Sequence, residues 1–177
     1  MELDKVISTR RSVRKYQNKE ISLELINQII YAGSLAPSAH NRQPWDVIVV
    51  KKDKSKIVDI MKEYCITNNE DESIIKTANT INNCDTLLLV YCNNFNQLEY
   101  NILSVGAMIQ NMLLKATDLN IGSVWIANVC PMKEKINHLL NINSNEKLLV
   151  SAVALGYPNQ ELKHLERKKL NEFVSYR

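Results

Sequence analysis

Between Arg10 and Lys15 the chain sets four basic side chains, Arg10, Arg11, Arg14 and Lys15, around Ser12, with no acid among them. Guanidinium groups this close repel one another unless an anion lies between them. Their planar forks match a phosphate bidentately, and a serine hydroxyl adds a further donor. The chain holds only four glycines, so neither a P-loop nor a Gly-x-Gly-x-x-Gly turn can be built, and any phosphate must be gripped by side chains. A plainer reading competes: a solvated basic turn at a helix end, where cations favour the carbonyl dipole. On charge alone the two readings stand level.

Other chemistry is sparse. Gly-x-Ser-x-Gly, His-Glu-x-x-His and Gly-x-x-x-x-Gly-Lys-Ser/Thr are all absent. His40, His138 and His164 lie far apart, with no cysteine or carboxylate at ligand spacing, so no metal is expected. His138 and His164 read as surface helix residues. Cys65, Cys84, Cys92 and Cys130 show no Cys-x-x-Cys spacing, and the N-terminus carries no secretory leader, which together point to reduced thiols in a cytoplasmic protein. Cys130, next to Pro131, is the one thiol with a conceivable redox role, although a small core residue is the simpler reading.

These residues need a scaffold, and 177 residues with 45% apolar content suffice for one domain spanning 1–177. A net charge of +3 is too mild, and too local, for a nucleic-acid binder. No apolar run reaches the ~20 residues that cross a bilayer. Leu3, Val6 and Ile7 predict a short amphipathic segment leading into the basic cluster. Ser22 caps an expected helix over 23–33, with Gly33 as its left-handed terminator. Strands are predicted at 45–50, 86–92, 122–127 and 148–158, the second central because it is apolar on both faces. Helices are predicted over 54–65 and 102–120, and again from Pro131, whose position suits a first turn. The Asn-rich stretch 67–83 reads as a mobile lid or short surface helices. Lys163, Arg167, Lys168 and Lys169 read as a solvated helix face. The tail from Asn159 to Arg177 is charged, its apolar residues spaced too thinly to bury themselves, which hints at wrapping around a second copy.

A second stretch decides between the phosphate and the plain reading. "APSAHNRQPW", residues 36–45, follows the basic cluster by about 25 positions, and "ALGYP" closes the last strand. Together with "RRSVR" these motifs resemble the FMN-dependent nitroreductase family along essentially the whole chain. The resemblance implies an α+β, three-layer fold: a central, mostly antiparallel sheet flanked by helices, with the C-terminal tail exchanged across a homodimer. It implies that Arg10, Arg11, Ser12 and Arg177 hold the FMN phosphate and that Arg14 lies beside the pyrimidine edge. Pro37, Ser38, Ala39, Asn41 and Gln43 would reach the flavin from the partner subunit, with Ala39 and His40 facing substrate. The backbone from Trp125 through Ile126 and Ala127 to Asn128 would lie under the ring near N5. One of Lys76, Asn79 and Thr80 would touch the flavin from the lid. The implied activity is NADH- or NADPH-driven, ping-pong reduction of nitroaromatics, quinones or related small acceptors, with the chemistry carried by the cofactor. Two further possibilities remain in view: a non-catalytic FMN-storing or sensing module, and an unrelated basic domain for another phosphate.

Overall fold

A computed structural model describes residues 1–70, 72–162 and 166–177; Lys163, His164 and Leu165, read above as tail and surface positions, lie outside the described residues. Four strands form one antiparallel sheet: β1 (Trp45–Val50), β2 (Thr86–Cys92), β3 (Gly122–Ile126) and β4 (Leu148–Gly156), in spatial order β1-β2-β4-β3. All seven residues of β2 are buried, as a strand apolar on both faces must be. Leu87, Leu89 and Tyr91 point into one core, covered by α3 (Lys54–Asn68), α4 (Ser73–Asn83) and α6 (Lys133–Leu139). Leu88, Val90 and Cys92 point into the other, covered by α2 (Leu23–Ser34) and α5 (Leu98–Asp118). The result is the expected three layers.

Several local expectations change. Gly33 lies inside α2, and no described glycine has positive φ. Its reason is closeness: a Cβ there would stand 2.6 Å from Met112 Cγ and 3.1 Å from Met108 Cγ, on the helix packed against it. The left-handed positions fall instead on residues such as Asn69, which ends α3, and Asn120 and Asn141, in keeping with the tolerance of Asn for that region. In α1 (Leu3–Thr9) Val6 alone is buried, because seven residues resting on α5 can cover only one turn; Leu3 and Ile7 stay exposed. Pro131 belongs to a short 3-10 turn, Cys130–Met132, and α6 starts after it. The stretch read as a lid is largely α4, fixed by the burial of Ile74, Ala78 and Ile81 at four- and three-residue steps. Leu162, Leu170, Phe173 and Tyr176 of the tail are exposed, as expected.

Burial has a consequence at high pH. It pushes the Cys84 thiol up to about 11, against the opposing pull of Lys54, and it raises the Tyr16 and Tyr91 hydroxyls too. Each group holds its proton more tightly folded than unfolded. Its contribution is therefore complete below the ordinary value and fades as pH climbs through the folded one. The urea midpoint is expected to stay level up to about pH 9, the thiol's ordinary value, and to fall between there and about pH 11. Cys84→Ala should flatten part of that fall; an unchanged pH curve in the variant would refute the assignment.

Candidate functional site

The basic segment leaves α1 at Arg10 and runs past the outer edge of β3. Arg11 serves the helix end: its Nη1 donates to the carbonyls of Ser8 (2.7 Å) and Arg10 (2.8 Å), which is the plain reading realised for one residue. Arg10, Ser12 and Arg14 line a cleft of about 490 Å3, which Arg11 also borders, together with Lys15, Gln160, Glu161 and Arg167. Burial, then the closeness of Arg167 and Arg11, holds the Arg10 guanidinium below its ordinary value. Cations pressed together in this way suit an anion. Arg167, read from sequence as part of a solvated face, lines this cleft beside Arg10, a placement that sequence reasoning missed. Its only signal was its place in a basic run on a tail that buries little.

Two close fits fix the segment. Val13 stands where a Cβ on Gly122 would be, 2.8 Å from its Cγ1, and Tyr16 stands against Gly156, with Cδ1 2.5 Å from a Cβ there. Gly122 and Gly156 are register partners on β3 and β4, so the two side chains seat side by side at the sheet's end. Ser12 bridges to Ser123, with Val13 N–H donating to the Ser123 carbonyl at 2.9 Å. The chain after β4 straps the other side. Gln17 N–H donates to Tyr157 O, Asn159 N–H donates to Lys15 O, and Gln160 Oε1 accepts from the backbone N–H of both Arg14 (2.9 Å) and Lys15 (3.0 Å). The arginines are therefore presented by a rigid seat rather than by a free loop.

Arg14 and Lys15 also line a second cleft of about 620 Å3, walled by Val124, Trp125, Ile126, Ala127 and Asn128 on one side and by α4 on the other. Trp125 is 41% exposed because β3 is an edge strand. Lys76, Asn79 and Thr80 all line this cleft. Thr80 is buried, its hydroxyl donating back to the Lys76 carbonyl, whereas Lys76 and Asn79 are exposed. Asn128 Nδ2 donates to Thr77 Oγ1 at 3.2 Å and ties the two walls together, a pairing invisible in sequence.

The loop 37–43 lies elsewhere. Of the described residues lining the two clefts, none comes from it, so Pro37, Ser38, Ala39, His40, Asn41 and Gln43 are not brought to Arg10 within this chain. His40 (φ 55°), Asn41 (φ 53°) and Gln43 (φ 49°) are left-handed, and the loop is pinned by Gln43 N–H donating to Ser38 Oγ and by Arg42 Nη1 donating to Gln97 Oε1 at 2.7 Å. Three such residues in four positions is a costly conformation of the kind found at binding sites. Arg177 is exposed at the end of the tail and is not among the described residues lining either cleft. Cys130 donates its thiol hydrogen to the Val150 carbonyl and burial raises its pKa, so it is poorly suited to attack.

Known proteins resemble this chain along most of its length. The profile of the nitroreductase family matches residues 7–157. A protein of Archaeoglobus fulgidus, provisionally named NADH dehydrogenase/NAD(P)H nitroreductase, is 36% identical over 163 residues, covering 89% of this chain and 86% of its own. One of the same name from Methanothermobacter thermautotrophicus is 32% identical, over 89% and 78%. The crystal structure of a provisionally named nitroreductase with FMN from Desulfovibrio desulfuricans superposes with a TM-score of 0.84 at 25% identity, covering 100% of this chain and 97% of that one. The chain belongs to the nitroreductase family of oxidoreductases.

Proposed function

We propose that residues 1–177 form one FMN-binding domain that takes hydride from NADH or NADPH and reduces nitroaromatics, quinones or similar electron-poor acceptors by a ping-pong cycle. The observation that carries this reading is the pair of clefts joined at Arg14 and Lys15. One end suits a doubly charged anion, the other a flat apolar ring, and a short linker would join them. That is the shape of a flavin phosphate.

The donor set fits. Arg10, Arg167 and Ser12 would hold the phosphate by charge-assisted hydrogen bonds. Arg14 would face the pyrimidine edge, where a fixed cation stabilises the negative charge that reduction leaves there. Bound in this way, FMN supplies reversible hydride transfer at N5. The chain's own work is to seat, orient and shield. For a nitro acceptor the net reaction balances as NAD(P)H + H+ + ArNO2 giving NAD(P)+ + ArNO + H2O.

A homodimer completes the reading. The loop 37–43, held in a costly conformation away from its own clefts, would supply Pro37, Ser38, Ala39, Asn41 and Gln43 to the partner's ring, with His40 toward substrate. The exposed Leu170, Phe173 and Tyr176 of the tail, with Tyr100 and Leu103 on α5, would be covered by the second copy. Light scattering of the FMN-loaded protein should give twice the monomer mass, and a monomer that holds FMN at full occupancy would refute this part.

The strap predicts a further effect. Gln160→Leu removes the acceptor shared by two backbone N–H groups and should weaken FMN binding by roughly 3- to 10-fold. Gln160→Glu keeps an acceptor but adds charge beside the phosphate, and should weaken it more. Equal affinities by calorimetry in all three proteins would dismiss the strap.

The catalytic reading is tested without oxygen. Adding NADH or NADPH to the FMN-loaded protein should bleach the flavin band, and a nitroaromatic or quinone should restore it. A flavin left oxidised by both nucleotides would leave a binding module instead.

A further inference from the structure

Carboxylates stand at the first cleft (Glu161) and at a third polar hollow of about 590 Å3 near Lys15 and Lys54 (Glu20 and Asp85). The second cleft is different. Of its described lining residues, Arg14, Lys15 and Lys76 are charged and none is a carboxylate. Arg14 is committed to the flavin in the reading above, which leaves Lys15 at the junction and Lys76 on the facing wall. Lys76 Nζ lies 3.4 Å from Glu72 one turn earlier, but the two side chains are 76% and 84% exposed. Such a pair contributes little, so the ammonium can turn to a ligand at small cost. Opposite it, Trp125 and Ile126 offer the apolar surface an aromatic acceptor needs.

From this asymmetry we propose that the second cleft selects acceptors bearing an anionic substituent, chiefly a carboxylate on an electron-poor aromatic ring, and that Lys76 reads it. The proposal rests on the flavin reading of the same site. Lys76 acts here on substrate rather than on the ring chemistry.

Reduced nicotinamide nucleotides are anionic too, so the test omits them. Oxidised, FMN-loaded protein is titrated with 4-nitrobenzoate and with its neutral methyl ester, reading the flavin difference spectrum at low and at 0.5 M salt. The carboxylate should bind roughly fivefold more tightly than the ester. Salt should erase most of the difference. Lys76→Met should bring the ratio close to one, and Lys76→Arg should keep it. Equal binding of the two probes by the wild-type protein, or a preference that survives Lys76→Met, overturns this proposal while the flavin reading stands. Failure to load FMN at all brings down both.

Discussion

Arg10→Ala should lower FMN affinity by one to two orders of magnitude while leaving the ligand-free protein as stable as before, or slightly more so. A hydrogen bond to a charged group contributes about 1.5–3 kcal/mol, so losing one bidentate phosphate contact accounts for roughly 10- to 150-fold. The sign for the ligand-free protein differs because of the neighbours. Arg10 is partly buried between Arg167 and Arg11, and its lowered pKa reflects that cost. Removing it relieves the repulsion among these neighbouring guanidinium groups. Arg11→Ala should do the reverse. Its guanidinium is spent on the carbonyls of Ser8 and Arg10, so the ligand-free melting temperature should fall and FMN affinity should change less. Thermal melts with and without FMN, paired with calorimetric Kd values, read both signs at once. An Arg10→Ala protein that binds FMN like the wild type would refute the phosphate cradle.

The second large effect comes from a residue with no side chain. In Gly156→Ala the new methyl would meet Tyr16 at Cδ1 (2.5 Å), Cγ (2.7 Å) and Cβ (2.9 Å), the stiff base of a buried ring. Nothing there can bend away, so the segment carrying Ser12 and Arg14 must lift. Overpacking of this kind costs about 1–3 kcal/mol, which for a chain of this length is a melting-point loss of roughly 2–12 °C. FMN affinity should fall with it, because the displaced residues are those proposed to hold the cofactor. Gly33→Ala is the control. Its methyl would come within 2.6 Å of Met112 Cγ, yet a methionine chain can re-route, and alanine favours the helix by up to about 1 kcal/mol. Its melting point should move far less, and FMN binding should not move. Equal behaviour of the two variants would show that the seat is softer than the geometry implies.

Much of this was legible in the chain. Strand and helix order followed from periodicity, since β2 is apolar on both faces and α5 repeats its core residues every three or four positions. Arg10, Ser12 and Arg14 stood out because like charges adjacent in sequence need a reason, and Trp125, Ile126 and Ala127 were tied to the same site through the family motifs. Those signals are local, so a linear reading captures them.

What the linear reading could not supply was every feature made by two distant segments meeting. Arg167 comes to line the first cleft only because the tail returns to Arg10. Gly33, Gly122 and Gly156 were read, where they were read at all, as conformational devices, whereas each is a space reserved for a side chain from elsewhere. The supposed lid became a wall once α4 buried Ile74, Ala78 and Ile81 and Asn128 reached Thr77. Local pattern fixes which residues are apolar, charged or small; which of them touch depends on how the sheet registers and where the chain closes on itself, and only the folded core determines that.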